Sequence, residues 1–413
     1  MRPSRCKPSA WTRHSCLFLA FAWPGWAQTF AQRGFFETHF LAYPQTAPND
    51  SGRAVGEALL RYEATWKPWS GWRFAGEVDA RADTHRQVER AWDLSWQDRD
   101  RRRPAFAVRR LSATYRRGPL TFEAGKQFIR WGKTDILNPT DRFAPRDYLE
   151  VVDNDFLGVT AARLTFEKGD DTLDLVWQPR FTPSRLPLLN QRWVVLPDVP
   201  VFDAGARHPG RSQFGARCNR LGPGFEYSLS IFDGFHHLPA LEPQVQLNPV
   251  RVHLLREYPR LRMYGADAAW PLKWVTVKAE SAWFTSPTRQ ADEYVLYVLQ
   301  VERQAGEWFF IGGYAGEAVT RERQRFDFAP DRGLARALLA HAGYTIDAHR
   351  SLALEAAFRD NGDGVWARLS YSHTLGQHWR ATASFNLIRG AAEDFFGQYR
   401  RNSHAALTLR YSF

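Results

Sequence analysis

The chain has 413 residues, of which 24% are charged, with a formal net charge of +11 at pH 7 and a mean hydropathy of -0.46. That average excludes a bundle of membrane helices, each of which needs roughly 20 consecutive apolar residues. Aromatic residues make up 15% of the chain, with 17 Trp, 14 Tyr and 29 Phe against 2 Met, so an unusual amount of amphipathic ring surface has to be placed.

Residues 1–27 read as a secretory signal peptide. Arg2, Arg5, Lys7 and Arg13 form a positive start, Cys16 to Trp23 are mostly apolar, and small residues at Gly25 and Ala27 precede a cut after Ala27. The apolar run is too short for a membrane span. Removing four basic residues lowers the formal charge from +11 to +7, 51 basic against 44 acidic. Cys6 and Cys16 leave with the leader; Cys218 then stands alone, which excludes an intramolecular disulfide and a thiolate metal site. Residues 28–413 are expected to form a single domain, with too few residues between the cut and the first strand for a separate plug.

From there one pattern repeats. Ala58, Leu60, Tyr62, Ala64 and Trp66 alternate with Arg61, Glu63 and Thr65; Trp72, Phe74, Val78 and Ala80 alternate with Arg73, Glu77, Asp79 and Arg81. The same period holds for Leu352 to Phe358 against Glu355 and Arg359, for Val365 to Tyr371 against Arg368, and for Trp379 to Leu387 against Arg380. It ends with Ala405, Leu407, Leu409, Tyr411 and Phe413 against Thr408, Arg410 and Ser412. Period two means β-strands. Short Gly/Pro/polar turns near 67–71, 116–119, 168–171, 221–224, 271–273, 304–306, 348–350 and 375–377 take turns with excursions near 44–56, 84–103, 132–156, 182–211, 234–258, 285–292, 319–334, 360–364 and 388–403. Eight turns and nine excursions join about 18 strands. The expected fold is all-β, an antiparallel transmembrane barrel of the outer-membrane type, with short turns at one rim and longer loops at the other. A soluble sandwich also alternates, but here the polar face is charged on many strands, which suits a wet lumen and not a packed core. Trp66, Trp72, Trp270, Trp274 and Trp308 fall at strand ends, where interfacial girdles belong.

One segment carries a more specific signal. Gly125-Lys126-Gln127-Phe128-Ile129-Arg130-Trp131-Gly132, then Asp135, Asn138-Pro139-Thr140-Asp141 and Pro145-Arg146-Asp147-Tyr148, with Trp177 to Pro187 further on, resembles the signature of a large family of porin-like proteobacterial outer-membrane barrels. The match covers roughly a sixth of the chain, and the family as a whole has no assigned substrate. A more distant likeness, in architecture only, is to alginate-export barrels. Physically the segment is the third excursion, whose Asn-Pro and Asp residues favour ordered turns. Folded inward, it would set Arg130, Lys133, Asp135, Asp141, Arg142, Arg146, Asp147 and Glu150 at a constriction; the alternative is that these side chains brace the loop against the wall.

The inward faces, opposite the apolar sets, receive Arg61, Arg73, Arg81, Lys278, Arg359, Arg368, Arg380 and Arg410 against Glu63, Glu77, Asp79, Glu280 and Glu355, eight bases to five acids. The function expected is passive passage of small polar, anionic solutes. The alternatives are an export conduit for an anionic polymer and a transporter of hydrophobic solutes, the second of which would want an apolar lumen. Tyr411 and Phe413 are the expected assembly signal, read by the barrel-assembly machinery. The Arg99–Arg103 run is expected in a loop facing lipopolysaccharide phosphates, with no nucleic-acid partner. No zinc-protease, nucleophile-elbow, P-loop or dinucleotide motif occurs, so neither an enzyme nor a cofactor is expected. His236-His237 beside Asp233 read as a solvated loop pair, and Asp360 to Gly364, which lacks the distal acid of a calcium loop, as a hairpin connection; no metal is expected.

Overall fold

The computed structural model describes residues 29–197, 199–323 and 328–413, and the signal-peptide assignment falls outside them. The strands are β1 Phe30–Ala42, β2 Ala54–Trp66, β3 Trp72–Asp83, β4 Phe106–Arg117, β5 Leu120–Gln127, β6 Val159–Lys168, β7 Asp171–Gln178, β8 Gln213–Gly222 and β9 Phe225–Phe235. They continue as β10 Arg260–Pro271, β11 Thr276–Thr285, β12 Glu293–Ala305, β13 Trp308–Arg321, β14 Ala337–Thr345, β15 Arg350–Arg359, β16 Gly364–Leu375, β17 Trp379–Gly390 and β18 His404–Ser412. The main sheet has 19 members; setting aside the two-residue piece Leu94–Ser95 leaves eighteen. Each pairs antiparallel with its chain neighbours, and β1 closes the ring on β18 from Phe35↔Ser412 to Ala42↔Ala405. Every short turn and every excursion lies where the alternation places it.

Local chemistry explains the turns and the seam. Gly118 and Gly169 sit at φ of 56° and 59° and open the tight connections β4–β5 and β6–β7, where a side chain would be strained. At the seam Phe413 and Gly34 exchange two backbone hydrogen bonds of 2.9 Å. A Cβ on Gly34 would stand 2.6 Å from the Phe413 ring, so the last aromatic occupies a notch that only glycine leaves.

The outer face exposes large apolar side chains all round, among them Phe40, Leu60, Leu111, Leu229, Leu299, Leu369 and Leu407. At the turn rim they give way to touching rings: Trp66 with Trp69 and Phe74, Trp72 with Tyr115, Phe225 with Trp270, Trp308 with Tyr344, and Trp379 with Tyr411. This is the distribution a barrel needs in a bilayer.

The interior departs from a uniformly wet lumen. Toward the loop rim, Val176, Phe232, Leu261, Met263, Ala282, Phe284, Tyr294 and Leu296 of β7 to β12 form a buried core with Ile129, Trp131 and Phe143 of the third loop. A second core joins Leu137, Val151 and Trp193 from loops to Val298, Ala315, Leu339, Ala357 and Ile388 from β12 to β17. Strands covered on both faces lose the alternation, which is why Tyr294 to Leu299 reads as one apolar run. Toward the turn rim of β15 to β18 the inward residues are small and hydroxylic instead, in cross-strand pairs Ser351↔Ser372, Ser370↔Ser384, Ser372↔Thr382 and Thr382↔Thr408.

Candidate constriction and passage

The third loop, residues 128–158, leaves the wall because β5 stops after eight residues and Ile129 and Trp131 turn inward. Its first bend is fixed by Asp141, whose Oδ1 accepts hydrogen bonds from the Trp131 and Gly132 amides at 2.5 and 2.7 Å. A Cβ at Gly132 would collide with Asn138 at 2.5 Å, which accounts for both residues of the motif. Further in, the buried Glu280 carboxylate of β11 holds the loop: it accepts from the Lys133, Thr134 and Thr140 amides at 2.9, 3.1 and 2.8 Å, and from both threonine hydroxyls at 2.9 Å. The Trp131 indole donates to Asp174 at 2.9 Å, and Lys133 pairs with Glu226 of β9.

Six of the eight charged residues of the loop divide between two places, apart from Arg130 and from Lys133 on Glu226. Asp135, Asp141, Arg142 and Arg146 line a cavity of about 390 Å³, faced by His341, Glu355, Trp366 and Arg368 of β14 to β16. Arg130 and Arg146 clasp the Phe156 ring from 4.3 and 4.2 Å, and Arg142 lies 4.8 Å over Phe284. Asp147 and Glu150 are buried away from that cavity. Burial pushes the Asp147 carboxyl up, but Arg103 at 3.0 Å and Arg185 at 2.5 Å outweigh it and hold it well below the usual carboxylate range. Glu150 is pushed well above its usual value by burial and by Glu57 and Asp153.

The wall residues sit in ion pairs of graded completeness. Arg61 and Arg81 both reach Asp79, at 2.7 and 2.9 Å. Arg109 joins Glu77 at 2.8 Å and the loop's Asp155 at 2.6 Å. Sequence reasoning missed Arg109. A bulge opposite Glu77 and Val78 turns Arg109 and Arg110 to the same side, and the signal for it was two successive arginines interrupting a period-two strand. Lys278 binds Asp135 at 2.9 Å and also Glu302; Arg359 binds Asp394 at 3.0 Å, Arg410 binds Glu37 at 2.6 Å, and Arg368 approaches Asp153 at 3.7 Å. Glu63 pairs with Arg33. Among the described residues Arg73 and Arg380 have no ion pair, and Arg380 stands directly across from Arg410.

Two expectations change. The His236-His237 pair is not solvated: His237 is buried with its ring nitrogens 2.9 and 2.5 Å from the Thr182 and Arg142 carbonyl oxygens, and burial with Arg142 nearby lowers the His236 pKa to about 3. Of the arginines in the 99–103 run, Arg103 is buried on Asp147, Arg99 donates to the Phe181 carbonyl at 2.8 Å and Arg101 pairs with Asp203 at 2.8 Å. Arg102 alone of the four is exposed.

The chain matches no family model and no curated protein. Solved structures do match. A BenF-like porin from Pseudomonas fluorescens Pf-5 superposes with a TM-score of 0.55 at 9% identity, over 93% of this chain and 98% of that one. OccAB3 of Acinetobacter baumannii gives 0.53 at 9% identity, over 93% and 99%. The fold is that of a porin-type outer-membrane barrel. At such identity the likeness extends to the fold alone.

Proposed function

We propose that the protein is an outer-membrane channel for passive diffusion of small polar solutes, with a preference for anions. Its short turns would face the periplasm and its loops the exterior. The observation that carries the reading is the asymmetric interior: the third loop fills one side and leaves a cavity against β14 to β16. On the inward faces of β14 to β18 stand Arg359, Arg368, Arg380 and Arg410 against the single acid Glu355. Arg359, Arg368 and Arg410 have Asp394, Asp153 and Glu37 beside them, so the unbalanced charge of this wall is carried by Arg380. In a passage narrower than the Debye length of about 8 Å at physiological salt, it is poorly screened and enriches anions. Arg142 and Arg146 would add to it from the loop. Tyr411 and Phe413 would present the closing strand to the barrel-assembly machinery, so deletion of Phe413 impairs assembly.

Single-channel recording in a planar bilayer under a salt gradient tests the proposal. The expected result is open conductance with a reversal potential of anionic sign, shifted toward cations by Arg142→Glu with Arg146→Glu. A barrel without conductance, or a cation-selective one, overturns it.

A further inference from the structure

Where β5 turns inward, the wall between β4 and β6 loses a strand: β5 pairs with β4 only from Leu111 to Arg117, leaving residues 106–110 without it. The excursion between β3 and β4 fills that place. Its residues Leu94 and Ser95 pair in parallel with Phe106 and Ala107, and the Trp96 indole donates to the Thr160 hydroxyl of β6 at 3.0 Å. Segment 92–98 thus bridges β4 directly to β6.

The segment lies on the outside of the barrel. Phe106 stands opposite Ala80 on the outward face of β3, and the Trp92 ring packs on Phe106 at 5.5 Å. Trp92, Leu94 and Trp96 are 87%, 64% and 36% exposed, and Leu111, Leu164 and Trp177 on the outward faces of the neighbouring strands β4, β6 and β7 are exposed too. Beneath the segment is a charge that the wall could not otherwise hold there. Lys126 pairs across from the outward-facing Leu111, yet it is 2% exposed, because its Nζ donates to the Trp96 carbonyl at 2.8 Å and to Asp98 at 2.7 Å. Asp98 in turn approaches Arg185 at 3.5 Å. A bare lysine on the lipid face is unfavourable; the segment supplies its counter-charge and its cover.

We propose that residues 92–98 are a membrane-embedded patch of wall, not a solvent loop, and that Trp92, Leu94 and Trp96 contact the acyl chains of the outer leaflet. The occupant follows from the place of the segment beside the lipid-facing strands β4 and β6 and from Trp92, Leu94 and Trp96, the large side chains among its exposed residues; Asp93 and Gln97 between them are exposed as well. It depends on the barrel fold and not on what the channel passes.

The test is Leu94→Cys in a Cys218→Ser background, reconstituted in vesicles, with Leu164→Cys and Arg102→Cys as lipid-facing and water-facing references and heat-modifiable mobility confirming the fold of each. A water-soluble maleimide should label Leu94→Cys and Leu164→Cys at least about tenfold more slowly than Arg102→Cys, and a bimane at position 94 should be quenched by acyl-brominated lipid. Labelling of Leu94→Cys at the rate of Arg102→Cys places the segment in water and overturns the proposal. Slow labelling without quenching by brominated lipid overturns it as well, because the patch is then covered by protein such as a second copy of the chain.

Discussion

The wall of β7 to β12 and the wall of β14 to β18 are built from the same alternating strands, yet their inward faces do opposite things. The first presents Phe232, Met263, Phe284 and Leu296 to the third loop and is dry. The second packs Leu339, Ala357 and Ile388 on loops toward the loop rim, but toward the turn rim it presents serines, threonines and arginines, of which Ser351 and Arg380 are exposed. Both use every second residue of a strand, so the strand pattern does not decide between them. The partner across the lumen does. Hydrocarbon on an inward face marks where a loop returns, and small hydroxylic residues mark where water stays. The loop's position follows from the contrast: it is held by packing and by the carboxylates of Glu280, Asp174 and Glu226 on one side, and by the longer ion pair of Arg368 with Asp153 on the other.

Removing the Glu280 carboxylate, which takes most of these bonds, is the strongest way to break the asymmetry. Glu280→Ala strands three amides and the Thr140 hydroxyl of the loop, the Thr134 hydroxyl keeping the Leu137 carbonyl at 2.5 Å, and a buried donor left without an acceptor costs roughly 1–3 kcal/mol. The expected outcome is a stability loss of about 3 kcal/mol or more, read as a lower temperature for conversion of the heat-modifiable band, together with a larger and noisier single-channel conductance. Unchanged conductance would mean that the aromatic core alone fixes the loop.

A paired glycine substitution probes the same contrast at smaller scale. A Cβ at Gly215 would stand 2.6 Å from Phe143 and 2.7 Å from Trp131, whereas at Gly343 its nearest neighbour is 3.5 Å away. Gly215→Ala should therefore cost about 1–3 kcal/mol, as overpacking does, and Gly343→Ala should leave unfolding within about 0.5 kcal/mol of wild type. Equal effects would show that the dry side relaxes as freely as the wet one.

The strand count and all seventeen connections were legible because both signals are local: alternation along each strand, and Gly or Pro where the chain reverses. What depended on contacts distant in sequence was not. Lys126 stands on a face that alternation assigns to lipid, and only segment 92–98, some thirty residues earlier, explains how it stays there. The charged loop motif told that the loop is ordered without telling that Asp147 and Glu150 would be buried while Asp135 and Arg146 reach the cavity. That division is set by Arg103 and Arg185, which arrive from two other excursions.

Proton uptake separates the buried brace from the passage more gently. Glu150 titrates well above the ordinary glutamate value in the folded chain, so the folded state binds its proton at a pH where the unfolded state has lost it. Its contribution is full below about pH 4.3, the unperturbed value, and is lost as pH rises through the raised one. Glu150→Gln should match wild type at pH 4 and exceed it at pH 8, by about 1.4 kcal/mol for each pH unit that separates the folded from the unfolded value. Asp147 has the opposite sign: its stabilisation is present above the ordinary aspartate value near 3.9 and is lost only as pH falls toward its depressed folded value. Melting temperatures of Glu150→Gln and the wild type across that range check the assignment; a Glu150→Gln advantage that is the same at pH 4 and pH 8 contradicts it.

The smallest effect on stability is expected where the effect on passage is most selective. Arg380 has no ion pair among the described residues and faces Arg410 across the β17–β18 ladder, an arrangement in which like charges oppose each other. Arg410 already has Glu37 at 2.6 Å, so the uncompensated charge of the pair resides on Arg380. Arg380→Ala removes it without stranding an acid, and melting should change by less than about 0.5 kcal/mol. The reversal potential under a salt gradient should nevertheless move toward cations, by less than for the Arg142 and Arg146 double substitution, because Arg380 stands near the turn rim and not in the lining of the cavity. Equal shifts from the two sites would place the selective step along the whole hydroxylic wall, and no shift from Arg380→Ala would confine it to the loop.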